Sequence, residues 1–155
     1  YAELGIELDV VHHSQFIDEL IQTEKIKPNN WVEEDITFHD PCYLGRHNNE
    51  YDAPRNVLQS LLKDGEIKEM EKSKSESFCC GAGGGNMWYE IKTGERINRN
   101  RIKQAVDTQA KTVAAACNFC NIMLEDGVKT TENEDNIRVL DIAEMVAEGL
   151  KEKRT

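Results

Sequence analysis

Residues 112–123 read TVAAACNFCNIM, and this stretch decides the fold class. Its first part, residues 112–116, is a run of small and β-branched residues that predicts a short buried strand ending at Cys117. Apolar residues then recur at helical spacing from Phe119, and we expect Gly127 to close that helix. The stretch therefore predicts a strand, a cysteine at the end of the strand, and a helix.

The same order recurs elsewhere in the chain. Residues 36–39 form a strand candidate that leads into Cys42, and Pro54 fits the first turn of the helix that follows. Three further strands are predicted at residues 6–11, 66–70 and 137–140. Further helices are predicted after Ser14, between residues 87 and 108 with a break at Gly94, and after the capping residue Asp141. Strands that alternate with helices predict an α/β fold of Rossmann-like type, with a parallel sheet covered by helices on both faces.

Length and composition limit the classes of protein that remain. The 155 residues predict one domain, residues 1–155, with an ordinary hydrophobic core. With 39% hydrophobic and 31% charged residues, the chain is typical of a globular protein, and no stretch approaches the roughly 20 apolar residues of a membrane span. The formal net charge of −10 argues against a nucleic acid partner, because binding to phosphates depends on clustered Lys and Arg.

The expected location of the protein bears on how its cysteines are interpreted. The sequence begins with Tyr1 and shows no basic segment followed by an apolar one, so we expect a fragment or processed chain without a secretion signal. A cytoplasmic location is then expected, and in that reducing compartment clustered cysteines more often bind metal or carry out redox chemistry than form disulfides. The odd number of five cysteines would also leave one over in a disulfide framework.

The cysteines are regularly spaced along the chain. They are Cys42, Cys79, Cys80, Cys117 and Cys120, with 36 residues between the first and the adjacent pair and 36 between the pair and the last two. In a parallel α/β sheet, residues that follow successive strands meet at the carboxyl edge. We therefore expect all five thiols to face one pocket at that edge.

Two local motifs indicate what this pocket binds. Cys117 and Cys120 form a CxxC motif at a predicted helix start, where the helix dipole favours thiolate over thiol. The adjacent residues Cys79 and Cys80 cannot easily place both sulfurs on one metal ion without strain, but they can bind neighbouring irons of a cluster. The pair therefore favours a multinuclear site.

A glycine-rich run follows the cysteine pair. Gly81, Gly83, Gly84 and Gly85 are expected to adopt positive φ and to present consecutive N–H groups as an anion-binding nest, which suits sulfide and thiolate charge. The run begins like a dinucleotide-binding motif, but it lacks the last glycine and follows two cysteines, which argues against nucleotide binding.

Other polar and aromatic residues are open to two interpretations. His39, three residues before Cys42, is either a turn-stabilising residue or a hydrogen-bond partner of the site. The remaining histidines, expected at the surface or in turns, are His12, His13 and His47. A basic cluster forms either a solvated helix face or a contact for an acidic redox partner or an anionic substrate; its members are Arg96, Arg99, Arg101 and Lys103. Trp88 and Tyr89 are expected to pack over the site and shield it from water.

Five stretches of the chain carry a family resemblance. They are HDPCYLGR (39–46), YDAPR (51–55), FCCGAGGGNMW (78–88), GERINRNR (94–101) and ACNFCNIMLEDG (116–127). Together they resemble the CCG domain, the cysteine-rich domain found in the B and D subunits of heterodisulfide reductase. The domain also occurs in the iron–sulfur subunits of glycolate and lactate oxidases, in the C subunit of anaerobic glycerol-3-phosphate dehydrogenase, and in relatives associated with electron-transferring flavoproteins. The resemblance spans about residues 5–151.

The resemblance implies a cofactor and a role. It implies a noncubane [4Fe–4S] cluster made of two fused smaller clusters, and it assigns as ligands Cys42, Cys79, Cys80, Cys117 and Cys120. The chain is then an electron-transfer domain of a heterodisulfide-reductase-like oxidoreductase, either catalytic toward a disulfide or a conduit between other centres. The implied partners are a ferredoxin-like domain and a flavoprotein or quinone-linked subunit. The chain is expected to be the C-terminal domain of a longer polypeptide, on the cytoplasmic side of a membrane complex.

A zinc site is the alternative cofactor. Zinc takes four S or N ligands, which Cys42, one cysteine of the adjacent pair, Cys117 and Cys120 can supply. The protein is then a zinc-stabilised structural or docking domain of a larger redox complex. Asn118 lies between the last two cysteines, where many family members have Pro. This difference is expected to affect the reduction potential of a cluster and not whether a cluster is present.

Overall fold

The computed structural model describes residues 2–29, 31–89 and 93–151, and within them eight regular elements alternate along the chain. In order they are α1 (His13–Gln22), β1 (Ile36–His39), α2 (Asp52–Leu61), α3 (Ile97–Asp107), β2 (Thr112–Ala115), α4 (Asn118–Thr130), β3 (Arg138–Asp141) and α5 (Ile142–Gly149). A π-helical turn at Tyr43–His47 and a 3₁₀ segment at Gly83–Trp88 occupy the connections that carry cysteines.

The three strands form one parallel sheet in the order β1-β2-β3. Phe38 lies opposite Ala114, and Ala114 lies opposite Leu140. The central strand β2 is fully buried and consists of small residues, as expected for a strand with helices on both sides. The predicted α/β class and parallel sheet are confirmed.

The side chains of β2 alternate between two cores, one on each face of the sheet. Ala114 belongs to a cluster that includes Phe38 together with apolar residues of α2 and α5. Val113 and Ala115 belong to a second cluster formed with α3 and α4. Helix α1 packs on α2 and α5. Helices therefore cover both faces, as predicted.

Two predicted strands do not form. Residues 6–11 have no regular secondary structure, and Val10 in this segment is 83% exposed. None of the strands in the described part of the chain pairs with this segment. In residues 66–70 only Ile67 pairs, through an isolated parallel bridge to Ile36. The chain then leaves the sheet toward the loop that precedes the cysteine pair.

The helix ends differ from the predicted ones in two places. His12, not Ser14, caps α1, and Gln15 completes a capping box with it. Helix α4 does not end at Gly127 but continues to Thr130. Gly127 is buried where α3 and α4 meet, and a Cβ atom there would lie 2.7 Å from Cγ1 of Ile102. This glycine therefore serves close helix packing and not helix termination.

Other helix predictions hold or fall partly outside the described residues. Asp141 caps α5 through the backbone N–H of Ala143, as predicted. Of the helical region predicted at residues 87–108, the described part forms an α-helix only from Ile97, after Gly94 at φ 77°. Residues 90–92 lie outside the described part of the chain.

No helix within the described ranges is both long enough and apolar enough to cross a membrane. The longest of them, α4, has 13 residues, against the roughly 20 that a crossing requires.

Candidate metal centre

Three segments bring five free cysteines to the carboxyl edge of the sheet. Cys42 follows β1, Cys79 and Cys80 lie in the loop before α3, and Cys117 and Cys120 lie at the beginning of α4. One cavity of about 310 Å³ is lined by all five residues. The structure therefore brings together every cysteine that the sequence analysis selected.

Cys80 is the centre of the hydrogen bonding among these thiols. Its sulfur interacts with the thiols of Cys120 and Cys79, with His39 and with the backbone N–H of Ala82, and these donors hold its pKa well below the usual range of a thiol. The pKa of Cys79 is raised because its thiol bonds to Cys80 and because it is partly desolvated. Of the adjacent pair, Cys80 therefore has the lowered pKa and Cys79 the raised one.

The two cysteines of the CxxC motif, at the beginning of α4, have pKa values that are shifted in opposite directions. The thiol of Cys120, followed by the backbone N–H groups of Cys120 and Phe119, lowers the pKa of Cys117 to about 6. The pKa of Cys120 is instead raised, because its thiol forms hydrogen bonds with Cys117 and Cys80 and is buried. Of the two cysteines at this helix start, Cys117 thus has the lowered pKa and Cys120 the raised one.

Backbone N–H groups point at the sulfurs of the adjacent pair. The N–H of Gly81 donates to Sγ of Cys79 at 3.2 Å. Gly81 has φ 94°, and a Cβ atom there would lie 3.1 Å from Cβ of Ile97, so both its conformation and its surroundings favour glycine. Gly83 lines the cavity but does not have positive φ, in contrast to the prediction, because it begins the 3₁₀ segment. Positive φ occurs instead at Gly84 and Gly85.

A buried ion pair holds the chain just before Cys42. The carboxylate of Asp40 accepts hydrogen bonds from Nη1 and Nη2 of Arg55 at 2.8 and 3.1 Å, and from the backbone N–H of Lys74 at 2.8 Å. Arg55 also donates to Glu69 at 2.6 Å. Asp40 thereby fixes the turn after β1 to α2 and to the loop that leads to the cysteine pair. The sequence pattern alone indicates no role for Asp40 or Arg55.

The predicted basic cluster is not a single surface. Arg101 is fully buried, and its Nε donates to Nδ1 of His39 at 3.0 Å. Arg96 pairs with Asp126 at 3.0 Å, and Lys103 pairs with Glu95 at 2.6 Å. The interpretation as one solvated helix face is therefore wrong for Arg101, because the register of α3 turns this side chain toward β1. No signal in a single sequence separates Arg101 from its neighbours.

The mouth of the cavity is aromatic and open. Tyr43, Trp88 and Phe119 line it and are exposed to solvent, Trp88 to 83%. Tyr89 is 71% exposed as well. Trp88 thus lies at the mouth of the cavity, as expected, although most of its side chain is exposed, whereas Tyr89 is not among the residues that line the cavity. Met87 is the residue of this segment that packs against the core.

A second cavity, of about 340 Å³, shares Cys42 and Cys117 with the first. His12 and His13 line it, with ring centroids 4.2 Å apart. Burial lowers the pKa of His12, and its imidazole interacts with the backbone of Ala116. These two histidines, expected only at the surface or in turns, thus form part of the wall beside the cysteines.

Comparison with known proteins agrees with this arrangement. The profile of the CCG family, described as "Cysteine-rich domain", matches residues 36–125. The chain is 41% identical over 150 residues to the probable iron-sulfur-binding oxidoreductase FadF of Bacillus subtilis, covering 97% of this chain and 21% of that protein. It is 39% identical to the EtfAB:quinone oxidoreductase of Syntrophomonas wolfei, covering 97% of this chain and 22% of that protein.

A third relative is a subunit of a heterodisulfide reductase. The chain is 42% identical to one of the subunits of the dihydromethanophenazine:CoB--CoM heterodisulfide reductase of Methanosarcina barkeri, covering 95% of this chain and 36% of that protein. The chain thus spans between about a fifth and a third of the length of these relatives. From the matched profile and the convergent cysteines, we conclude that the chain belongs to the CCG family of cysteine-rich domains.

Proposed function

We propose that this protein is an iron–sulfur domain that carries electrons within an oxidoreductase of the heterodisulfide-reductase type. The proposed ligands of a noncubane [4Fe–4S] cluster are Cys42, Cys79, Cys80, Cys117 and Cys120. The observation that carries the proposal is that five free thiols from three separate segments line one cavity. Iron–sulfur oxidoreductases among the similar proteins support the same assignment.

The residues present fit such a cluster in chemistry and in space. Thiolates are the usual protein ligands of iron–sulfur clusters, and backbone N–H groups at Cys79 and Cys80 offset their charge. The cavity, of about 310 Å³, is far larger than the roughly 10 to 15 Å³ needed to hold one water molecule, and it therefore offers more room than a single metal ion needs. When bound, the cluster supplies electron transfer. The protein supplies the ligands, the N–H donors and the partly closed cavity.

A zinc-stabilised structural or docking domain is the second candidate. It is favoured by one observation, namely that a ring nitrogen of His39 and the Sγ atoms of Cys80 and Cys120 all lie within 4.8 Å of one another. One further cysteine completes the four ligands that zinc requires. This arrangement leaves two of the five thiols at the same cavity without a metal, which is why we rank it second.

Metal and sulfide analysis of anaerobically purified protein separates these candidates. We expect iron and acid-labile sulfide in equal amounts, about four of each per chain, with visible absorption and an EPR signal in one oxidation state. Replacement of any one cysteine by serine is expected to lower the iron content. Stoichiometric zinc without sulfide would contradict the cluster and support the second candidate.

The activity of the whole protein is part of the proposal. Because this chain covers only 21% to 36% of its relatives, we propose that it is the C-terminal domain of a longer polypeptide on the cytoplasmic side of a membrane complex. Its proposed partners are a ferredoxin-like domain and a flavoprotein or quinone-linked subunit, and we favour a conduit between them. Assays of the full-length protein with a heterodisulfide, a quinone analogue and a reduced flavoprotein test this. Turnover of the disulfide alone would contradict the conduit and indicate a catalytic domain.

A further inference from the structure

His39 lies between a buried cation and the cysteine cavity. It is the last residue of β1 and is 1% exposed, so its imidazole has no contact with bulk water. On one side, Nδ1 lies 3.0 Å from Nε of Arg101. On the other side, the ring interacts with the thiol of Cys80 and lies within 4.8 Å of the sulfurs of Cys80 and Cys120. The protonation of this ring therefore decides what it can do at the site.

The hydrogen bond from Arg101 fixes the tautomer of His39. A guanidinium group only donates hydrogen bonds, so Nδ1 of His39 must accept and cannot carry a proton. A neutral imidazole then carries its proton on Nε2. The in-plane lone pair of Nδ1 is already taken by Arg101, so the interaction with Cys80 runs through Nε2. The ring therefore presents an N–H donor to the sulfur.

Arg101 is itself held in one orientation. Its Nη1 donates to the carbonyl of Lys72 and to Oε1 of Gln104, each at 2.8 Å, and its Nη2 donates to Oγ of Ser77 at 3.3 Å. Burial lowers the pKa of Arg101 to about 10, so the group remains charged near neutral pH. A cation fixed against Nδ1 also opposes a second proton on His39. The packing of α3 against β1 thus determines both the orientation of Arg101 and the tautomer of His39.

We propose that Arg101 locks His39 in the Nε2–H tautomer, so that His39 is a hydrogen-bond donor to the sulfur of Cys80 and not a metal ligand. The proposal rests on the iron–sulfur function proposed above. A protonated nitrogen has no lone pair to offer a metal, which removes His39 from the zinc arrangement. A hydrogen bond to a ligand sulfur stabilises the more negative, reduced state of a cluster. His39 is thus a positioning residue that raises the reduction potential.

The first test needs no metal. Long-range ¹⁵N–¹H correlation NMR of the metal-free protein, assigned with a His39→Asn variant, reads which ring nitrogen carries the proton. We expect Nε2 of His39 to be protonated and Nδ1 to be an acceptor, and we expect Arg101→Met to give a mixture of both tautomers. Protonation of Nδ1 in the unaltered protein would overturn the proposal whether or not the Arg101→Met variant folds.

The second test compares two replacements of His39 in the cluster-loaded protein. An asparagine places its oxygen near the position of Nδ1 and can still accept from Arg101, but its side chain is too short to donate to Cys80. A glutamine can place its amide N–H near the position of Nε2 and keeps that donor. We expect both variants to retain the iron and sulfide content of the unaltered protein, because His39 is not a ligand.

The expected difference lies in the reduction potential. His39→Asn is expected to reduce the equilibrium constant for reduction by up to about tenfold, which lowers the reduction potential by about 59 mV for a one-electron couple. The potential of His39→Gln is expected to stay close to that of the unaltered protein. Equal potentials in all three proteins, or loss of metal in both variants, would overturn the proposal. If the unaltered protein contains no iron or sulfide, the proposed function fails, and the NMR result still decides the tautomer.

Discussion

Asp40 and Arg55 form the most enclosed ion pair near the cysteines among the described residues. The side chains are 2% and 13% exposed, and two nitrogens of the guanidinium contact the two carboxylate oxygens. Removing one partner of a buried pair leaves an uncompensated charge, which is far more costly than losing a pair at the surface. The turn that carries Cys42 therefore depends on a residue of α2.

Arg55→Met tests this dependence. We expect the free energy of unfolding to fall by about 3 kcal/mol in urea denaturation, because the Asp40 carboxylate stays buried without its partner. Lys27→Met is the matched control, since Lys27 and Glu24 are 68% and 76% exposed, and we expect a change within about 1 kcal/mol. Similar losses in both variants would show that Arg55 does not hold the turn.

At the scale of single residues, the sequence predicts the candidate ligands better than it predicts the buried residues that position them. The five cysteines could be selected because CC and CxxC are rare patterns and their spacing matches an α/β unit. Arg101 could not be distinguished from Arg99, because both lie in the same helix and only the packing of α3 determines which side chain enters the core. The role of Asp40 was missed for the same reason, since its partners are 15 and 34 residues away.

Helices α3 and α4 pack closely because of Gly127. A Cβ atom at this position would lie 2.7 Å from Cγ1 of Ile102 and 3.0 Å from the carbonyl oxygen of Asn98. The side chain of Ile102 can move, but the carbonyl of Asn98 belongs to the backbone of α3, so an added methyl group favours a shift of one helix against the other. The glycine thus sets the distance between the two helices.

Gly127→Ala is expected to lower the free energy of unfolding by about 1 to 3 kcal/mol, the usual cost of overpacking a core. Thermal and urea unfolding measure this change. Lys129→Ala, an exposed position in the same helix, serves as control and is expected to change stability by less than about 0.5 kcal/mol. A gain of about 1 kcal/mol in Gly127→Ala, as helix propensity alone predicts, would contradict the close packing.

At the scale of elements, prediction succeeds where local pattern and tertiary structure agree. The strands β1, β2 and β3 were predicted within one residue of their observed ends, because each is a short apolar run between turn residues. Residues 6–11 have a similar apolar pattern but no partner strand, and a single sequence does not show whether a partner exists. A glycine after a run of helical spacing predicts a helix end at Gly127, whereas the close contact of Gly127 with α3 depends on tertiary packing that a single sequence does not show.

The two faces of the sheet differ in their relation to the cysteines. The cluster formed with α3 and α4 includes Cys80 and Cys120, whereas the cluster formed with α2 and α5 contains no cysteine among the described residues. Removal of the cluster should therefore change amide hydrogen exchange more on one face of the sheet than on the other. We expect faster amide exchange in α3 and α4 after the metal is removed and little change in α2 and α5, measured by mass spectrometry. Equal acceleration in all four helices would contradict this asymmetry.

The two tryptophans lie in different parts of the molecule and can report on the cavity. Trp88 lines its mouth, whereas Trp31 precedes β1 and donates from Nε1 to the carbonyl of Met145 at 3.1 Å. Quenching by a metal cluster falls steeply with distance. Reconstitution with iron and sulfide is therefore expected to quench Trp88, seen in Trp31→Phe, more than Trp31, seen in Trp88→Phe. Equal quenching would place the cluster away from this cavity.

The spacing of the cysteines also has a mechanical consequence. Since the thiols come from three segments with 36 residues between each, a centre bound to all of them acts as a cross-link that closes two long stretches of chain. Cross-links of this length lower the conformational entropy of the unfolded chain, which raises its free energy by on the order of 3 to 4 kcal/mol for each closed stretch. The loaded domain should consequently resist proteolysis much longer than the empty one, so that in a cell the inorganic centre also governs the lifetime of the polypeptide that holds it.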